Sequence, residues 1–445
     1  MPEDVAGPAN PEGTAISRRA STSPPDSVGA PALAPARSAT FGEVFALGEF
    51  RALWLAQILS VSGDQLARVA LTLLVFDRTQ SSLLAAVTFA ASVIPTVLGG
   101  VALSGIADRL PRREIMIACD LGRAGLVAAM VLPGMPIAAL VGLLFLVTLI
   151  SAPFTSARAA LYPEILVGDR YVVGTAITLT TLQFAQVLGF AVAGVLVGSF
   201  GVTTSLVIDA VTFIVSAAIT RLWVQVRPAA RAGVHQGGIA LMTMMGGLRF
   251  VFADPALRFP MFLGWLVAVL DVHEGISVPL AASLGWGAVA VGMILASNAL
   301  GSCLGAIGFA RLVQPAWRLR WMGPLAVASC TVLILFALMP TLPWVLVILA
   351  VSGVFSCYLL AANAAFVTAA PPELRSQAFG IAQAGMSLGQ GTAMIAAGAA
   401  AQRFSPSIVI AACGSIGAVV AMVIVASRSR SRHVRSVRQQ AHFEQ

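Results

Sequence analysis

Asp64, Asp271 and Glu274 stand inside long apolar runs of this 445-residue chain. An ionisable side chain is costly within an apolar span, so each marks a candidate functional site. A carboxylate so placed can take up a proton from one side of an apolar barrier and release it to the other. Asp64 lies 13 residues beyond Arg51, about 20 Å of helical rise, past the middle of a hydrocarbon core about 30 Å thick. Arg68 follows it at i+4, so the competing reading is a local ion pair on the helix surface. The two readings are compatible if proton binding breaks the pair. Asp271 and Glu274, three apart, share one face of a helix while His273 points elsewhere. The competing reading puts this cluster at the water-exposed outer mouth of a cavity. Asp64, Glu274 and Asp271 are the expected proton-coupling residues.

Other polar groups in apolar runs have quieter readings. Asp120 and Arg123 form an i, i+3 pair expected to be structural. Asp209 is solitary and needs a partner from another helix or a water-filled face. Arg68, Gln183, Gln186, Asp209, Asn298, Asn363, Gln383 and Gln390 are the expected lining of a substrate cavity. For the amides the alternative is interhelical hydrogen bonding, worth about 0.6 kcal/mol each. Nothing points to an enzyme or a cofactor. The four histidines are scattered without ligand spacing, and no Walker-type glycine-lysine loop exists because the chain has no lysine. The five cysteines show no paired spacing, which argues against a disulfide framework or a zinc site. Any work done on a solute is therefore expected to draw on an ion gradient.

The elements that hold these residues follow from composition. The chain is 58% hydrophobic and 10% charged, too apolar for a soluble protein of this size. Spans of about 20 residues are expected at 50–76, 82–106, 113–133, 137–160, 170–199, 202–224, 258–282, 287–310, 319–339, 342–368, 374–402 and 406–427, twelve in all. Pro- and Gly-rich or polar punctuation separates them. Residues 1–44 read as a disordered cytoplasmic tail without a secretory signal, and 428–445 as a basic cytoplasmic tail. Residues 227–255 form a cytoplasmic linker between bundles at 45–226 and 256–427, with a short amphipathic interfacial helix expected over 239–252.

All 27 basic residues are arginines, and 23 of them lie in the two tails, in alternate connections or at the span ends that border those tails and connections. The other set of connections holds only Arg78 and Arg403. Positive residues stay on the cytoplasmic side, so both termini are expected there. The net charge of +8 is spread over loops with no soluble domain to present it. Nucleic acid is therefore excluded as a partner, and anionic lipid headgroups are favoured.

The halves repeat. Arg51 and Asp64 recur as Arg258 and Asp271, both 207 residues on, and the GIADRL ending at Leu110 recurs as GFARL ending at Leu312. ALYPEIL with Glu164 recurs as AAPPELR with Glu373. Two parallel six-helix halves with a site at their interface form a transporter architecture.

These features resemble the major facilitator superfamily over about residues 45–427. The superfamily pattern G-x-x-x-D-R-x-G-R-R is met in SGIADRLPRR from Ser104 by Asp108, Arg109, Arg112 and Arg113, with Ser104 and Pro111 at the glycine positions. FRALWLAQILSVSGDQLARVALTLLVF from Phe50, TSARAALYPEIL from Thr155 and DPALR from Asp254 are similar to the macrolide-efflux-like branch of drug/proton antiporters. The antiporter motif G-x-x-x-G-P-x-x-G-G is partly met in LGFAVAGVLVG from Leu188, where Gly189 and Gly194 fit. Phe190 replaces its proline and Ala193 a glycine.

The resemblance implies an all-α membrane protein of twelve transmembrane helices in two pseudo-symmetric six-helix bundles. It also implies a cytoplasmic gate of Asp108, Arg109, Arg112, Arg113 and Arg375, with the arginines pairing to acids of the other half. The expected activity is proton-coupled export of an amphipathic small molecule across a bacterial inner membrane by a monomer. Import or facilitated passage of a small solute, or a non-transporting scaffold or sensor, are the alternatives. The arginine pattern predicts that a reporter active only outside the cytoplasm will be active when fused after Arg78 or Arg403. It should be silent after Arg113 or Arg320, and the reverse pattern would overturn the orientation.

Overall fold

The computed structural model of the chain describes residues 39–96, 99, 110–227, 249–371 and 374–443. Asp108 and Arg109, most of the expected linker and the inner part of the second expected span lie outside these residues. Among the described residues the fold is helical throughout, without strands.

Helix α1 (Phe41–Phe45) falls within the expected N-terminal tail. Thr40 caps it, accepting from the Glu43 amide. Val44 is buried and Phe45 packs edge-on against Phe50 and Trp54 at centroid distances of 5.6 and 5.2 Å. Apolar side chains meeting the start of the next helix give this stretch a place on the bundle. Then follow α2 (Gly48–Thr79), α3 (Ser82–Ala90), α4 (Arg112–Met130), α5 (Ile137–Ile165) and α6 (Asp169–Trp223). The 55 residues of α6 would span about 80 Å as one straight helix, far beyond a bilayer. Gly201, at φ 79° and ψ 171°, breaks it into two traverses at the expected position. Only glycine adopts that conformation readily.

The second half opens on α7 (Pro255–Trp265), capped by Asp254, and continues through three short pieces, α8 (Val267–Leu270), α9 (Val272–Gly275) and α10 (Ser277–Ser283). This region was expected to be one continuous helix. The breaks fall at Leu266, Asp271 and Ile276, the last two with ψ of 8° and 18°. Helices α11 (Ala288–Leu312), α12 (Pro315–Leu333) with a 3₁₀ turn at Ile334–Leu338, α13 (Leu342–Phe355), α14 (Tyr358–Ala369), α15 (Arg375–Ala400) and α16 (Pro406–Phe443) complete it. Helix α16 runs past 427, where the basic tail was expected to begin. Of the expected interfacial helix only 249–252 are described. They are helical, and Phe252 packs on Phe262 and Trp265 at 5.9 and 6.1 Å.

Eight helical stretches among the described residues are long and apolar enough to cross a membrane. One of them is α6 with its two traverses. Outside this set are α3, whose continuation is only partly described, α4 with its arginines and acids, and the Gly- and Gln-rich α15. Large apolar side chains such as Leu179, Leu188, Val192, Val195 and Phe200 on α6 point outward. A lipid solvent permits this, because backbone hydrogen bonds are satisfied within helices and apolar side chains need no cover from water.

Among the described residues, the apolar core joins the two halves at one end. One large cluster takes Leu66–Phe89 residues and Phe190–Phe213 residues of the first half together with Leu263–Leu295 residues of the second. At the arginine-rich end each half has a core of its own. Phe50, Phe154 and Leu161 belong to one, and Val251, Leu257 and Phe366 to the other. At the joined end glycines let backbones cross. A Cβ on Gly194 would stand 2.7 Å from the Gly292 Cα, and one on Gly398 2.9 Å from the Ser82 carbonyl. Gln402 Nε2 donates to Ser81 Oγ at 3.0 Å across the same seam.

Gly301 and Gly305 pack within the second half, against the Ala350 and Val354 carbonyls. A methyl at Gly301 meets backbone that cannot step aside. Gly301→Ala is expected to cost about 1–3 kcal/mol through overpacking. Gly308→Ala, which meets nothing within 4 Å, should be neutral or stabilising, because alanine favours the helix. Thermal unfolding of both variants in detergent checks this pair.

Candidate functional site

Two cavities adjoin in the middle of the bundle, sharing Val267, Asp271, Leu359 and Asn363. The first, about 310 Å³, takes Gln183 and Gln186 from α6 and Asp271, Glu274, Asn298, Ser302, Ser356 and Asn363 from the second half. The second, about 370 Å³, lies wholly in the second half and adds Gln383 and Gln390 from α15, with Trp265, Phe366 and Phe379. All six amides expected to line a cavity therefore face one or both.

Asp271 and Glu274 meet the same cavity, as their i, i+3 spacing allows. Asp271 occupies the break between α8 and α9, where the chain leaves helical ψ, and its carboxylate borders both cavities. Gln390 Nε2 donates to Asp271 Oδ2 at 2.7 Å. His273 points away into the core, its Nδ1 2.9 Å from the Leu270 carbonyl. Asn298 donates weakly to the Leu349 carbonyl at 3.4 Å, and Ser302 and Ser356 exchange a hydrogen bond at 3.0 Å. Trp265 was not singled out in the sequence. Its indole donates to the Ala382 carbonyl at 2.9 Å and lies over Gly385, making an aromatic wall. Only an aromatic residue facing a glycine on a distant helix marks this wall, and that pairing is invisible along the chain.

Asp64 and Arg68 are not paired with each other. Asp64 pairs with Arg123, reaching across from α2 to α4. Arg68 instead donates to Gln65 Oε1 at 3.3 Å and to the Ser92 carbonyl at 3.2 Å. It borders neither cavity, though its charge acts on Glu274. Asp209 is likewise absent from the cavity walls. It is fully buried on α6 against Gly63, within reach of the Arg123 charge. Asp120 and Arg123 do stand together, Nη1 to Oδ1 at 3.5 Å, as their spacing predicted. The pair is the centre of a larger group, with Arg123 also donating to Ser60 Oγ at 2.8 Å and stacked 4.0 Å over Phe213. Sequence reading missed this hub because 59 residues separate Arg123 from Asp64.

At the arginine-rich end the described gate residues contact their own halves. Arg112 pairs with Glu164 and donates to the Ala160 carbonyl at 3.0 Å. Arg113 binds the Arg221 carbonyl, and Arg375 the Ala370 carbonyl at 3.3 Å. Arg227, at the end of the first bundle, holds Glu49 at 2.7 Å. None of the ion pairs among the described residues crosses between halves, so the expected pairing of Arg112 and Arg113 with acids of the other half is not seen among them.

Two helical halves fused at one end, around polar cavities that carry carboxylates, define a membrane transporter. The chain belongs to the Major Facilitator Superfamily, whose model matches residues 53–273 and 274–443. It is 26% identical over 307 residues to the enterobactin exporter EntS of Salmonella choleraesuis, covering 65% of this chain and 70% of that protein. It is equally similar over 310 residues to EntS of Escherichia coli O139:H28, at 67% and 71% coverage. Among solved structures it shares the fold of the nucleoside transporter NupG, with TM-score 0.63, 15% identity and coverage of 84% of this chain and 98% of that one. It also shares the fold of a POT family transporter in complex with a thioalcohol-conjugated peptide, with TM-score 0.69, 10% identity and coverage of 86% and 96%.

Removing one partner from a buried ion pair leaves an uncompensated charge, at about 3–5 kcal/mol. Arg123→Met is therefore expected to lose most of its folded yield. Asp64→Asn, at the half-exposed rim of the group, should lose far less. Size-exclusion profiles and melting temperatures of the two variants decide the order.

Proposed function

We propose that this protein exports an amphipathic small molecule in exchange for protons, by alternating access across a bacterial inner membrane. It does so as a monomer with twelve crossings and both termini in the cytoplasm. The observation that carries this reading is the first cavity. It takes walls from both halves, holds Asp271 and Glu274 beside neutral amides and apolar surface, and lies at the edge of the seam that closes the bundle on one side. With the arginines facing the cytoplasm, the separated end faces the cell interior, and this conformation is the one that loads substrate from inside. The relatives described as exporters favour outward over inward movement.

In the cycle so read, closure at the arginine end around bound substrate brings Asp108, Arg109, Arg112 and Arg113 towards Arg375 and the start of α15, and the seam of Gly194, Gly292, Gly398 and Ser82 opens. A proton entering from outside then neutralises a cavity carboxylate and lowers its hold on the substrate or on Gln390. Substrate leaves outward, and the proton is released inward on return. Only interactions that differ between the two conformations can drive this exchange, and a carboxylate whose charge changes with exposure meets that need.

The test is growth inhibition of a sensitised host by a broad panel of lipophilic cations, macrolides and other antibiotics. Wild type, Asp64→Asn, Asp271→Asn and Glu274→Gln are compared at matched expression. Several-fold resistance that disappears in at least one carboxylate variant, with substrate-dependent proton movement in vesicles, is the expected result. Uptake of a solute by the wild type without proton movement would replace export with facilitated entry.

A further inference from the structure

The first half contains a buried charge group that the cavity chemistry does not use. Arg123 on α4 stands within electrostatic reach of Asp64 on α2, Asp120 on α4 and Asp209 on α6, and Arg158 on α5 within reach of Asp120 and Arg123. Asp120 and Asp209 are fully buried, Arg123 and Arg158 nearly so, and only the Asp64 side chain, at 27% exposure, has access to water. The other titratable groups packed here, Cys119 and Tyr162, add no charge in their ordinary neutral forms. Tyr162 donates to Gln57 Oε1 at 3.2 Å.

Three carboxylates and two guanidiniums leave one negative charge in excess. An isolated charge in a dry interior is expensive, and the usual escape is neutralisation by a proton. One proton balances the group. Its place follows from the hydrogen bonds. Asp64 accepts from Arg123, and Asp120 Oδ2 accepts from Ser216 Oγ while its Oδ1, without a hydrogen bond, lies 3.5 Å from the Arg123 guanidinium. Such donors stabilise the charged form. Asp209 has almost none. Its Oδ2 is buried with no partner, and its Oδ1 has only Thr212 Oγ1 at 3.5 Å, a hydroxyl already donating to the Asp209 carbonyl at 2.7 Å. The carboxyl group sits in space left by Gly63, the residue beside Asp64, and any side chain there would collide with it.

We propose that this group stores one proton on Asp209, and that Asp64 is the port through which that proton exchanges with water. Arg123 is the switch. While it pairs with Asp64, Asp209 keeps the proton. When the guanidinium swings to Asp209, the proton passes to Asp64, and the group remains neutral in both arrangements. The proposal goes beyond the export reading. It needs that reading only for the use to which the stored proton is put.

Infrared spectroscopy of the purified full-length protein in lipid at neutral pH tests it without any substrate. The difference between wild type and Asp209→Asn should contain the carbonyl band of a protonated carboxylic acid, moving on transfer to heavy water. Asp64→Asn should retain that band and slow its exchange. Asparagine mimics the neutral acid, so Asp209→Asn should also melt within a few degrees of the wild type. A difference spectrum without the acid band would overturn the store, as would an Asp209→Asn protein that fails to fold, because both mean that Asp209 is charged. Unchanged exchange in Asp64→Asn would overturn the port. Loss of transport with the band intact would count against the export reading alone.

Discussion

A guanidinium that never loses its charge is sealed inside the first half at Arg123, and much of that half is arranged around it. Arginine stays protonated in any protein environment, so its burial obliges helices α2, α4 and α6 to bring acids, hydroxyls and an aromatic face to one point. Asp64 meets Nη2, Ser60 and Asp120 meet Nη1, and Phe213 lies against the face of the guanidinium. The obligation fixes helix rotation more tightly than apolar packing can, because a helix turned by one residue would leave a charge unpaired in a dry interior.

Glycine sets the second condition, how closely the helices approach. Across the seam, Gly194 with Gly292 and Gly398 with Ser82 allow backbone contact with no side chain between. Lipid tails offer no hydrophobic gain for helix association, so close van der Waals contact has to supply it. Contact of this kind is short-ranged. It holds one end shut and is lost completely when the helices part, which suits a surface that opens and closes as a unit. Within the second half, Gly301 and Gly305 allow the same close approach against α13.

The broken seventh span links the two. A continuous helix there would satisfy its own backbone, and Asp271 would be one more side chain on its surface. At the break, Asp271 borders both cavities and is held by Gln390 from α15. Irregular backbone at membrane depth is tolerated where it lines a cavity rather than lipid. Gln390 thus links the Asp271 carboxylate directly to α15, the helix that carries Gly398 at the seam.

The amino-acid sequence alone determined the all-helical membrane class, the duplicated halves, the break at Gly201 and the amides that face the cavity. These depend on local composition, a constant offset near 207 residues, and the rule that polar groups in apolar spans turn inward. It did not determine the partners of the charged residues. Helical spacing offers Asp64 the neighbour four residues on, yet the fold gives it Arg123 from another helix and leaves Arg68 to Gln65 and Ser92. Spacing likewise offers a single smooth helix through Asp271, whereas the fold breaks it at Leu266, Asp271 and Ile276. Periodicity reports which face of a helix is apolar. Which charges meet across helices is a property of their rotation and depth, and those exist only once the bundle has closed around Arg123.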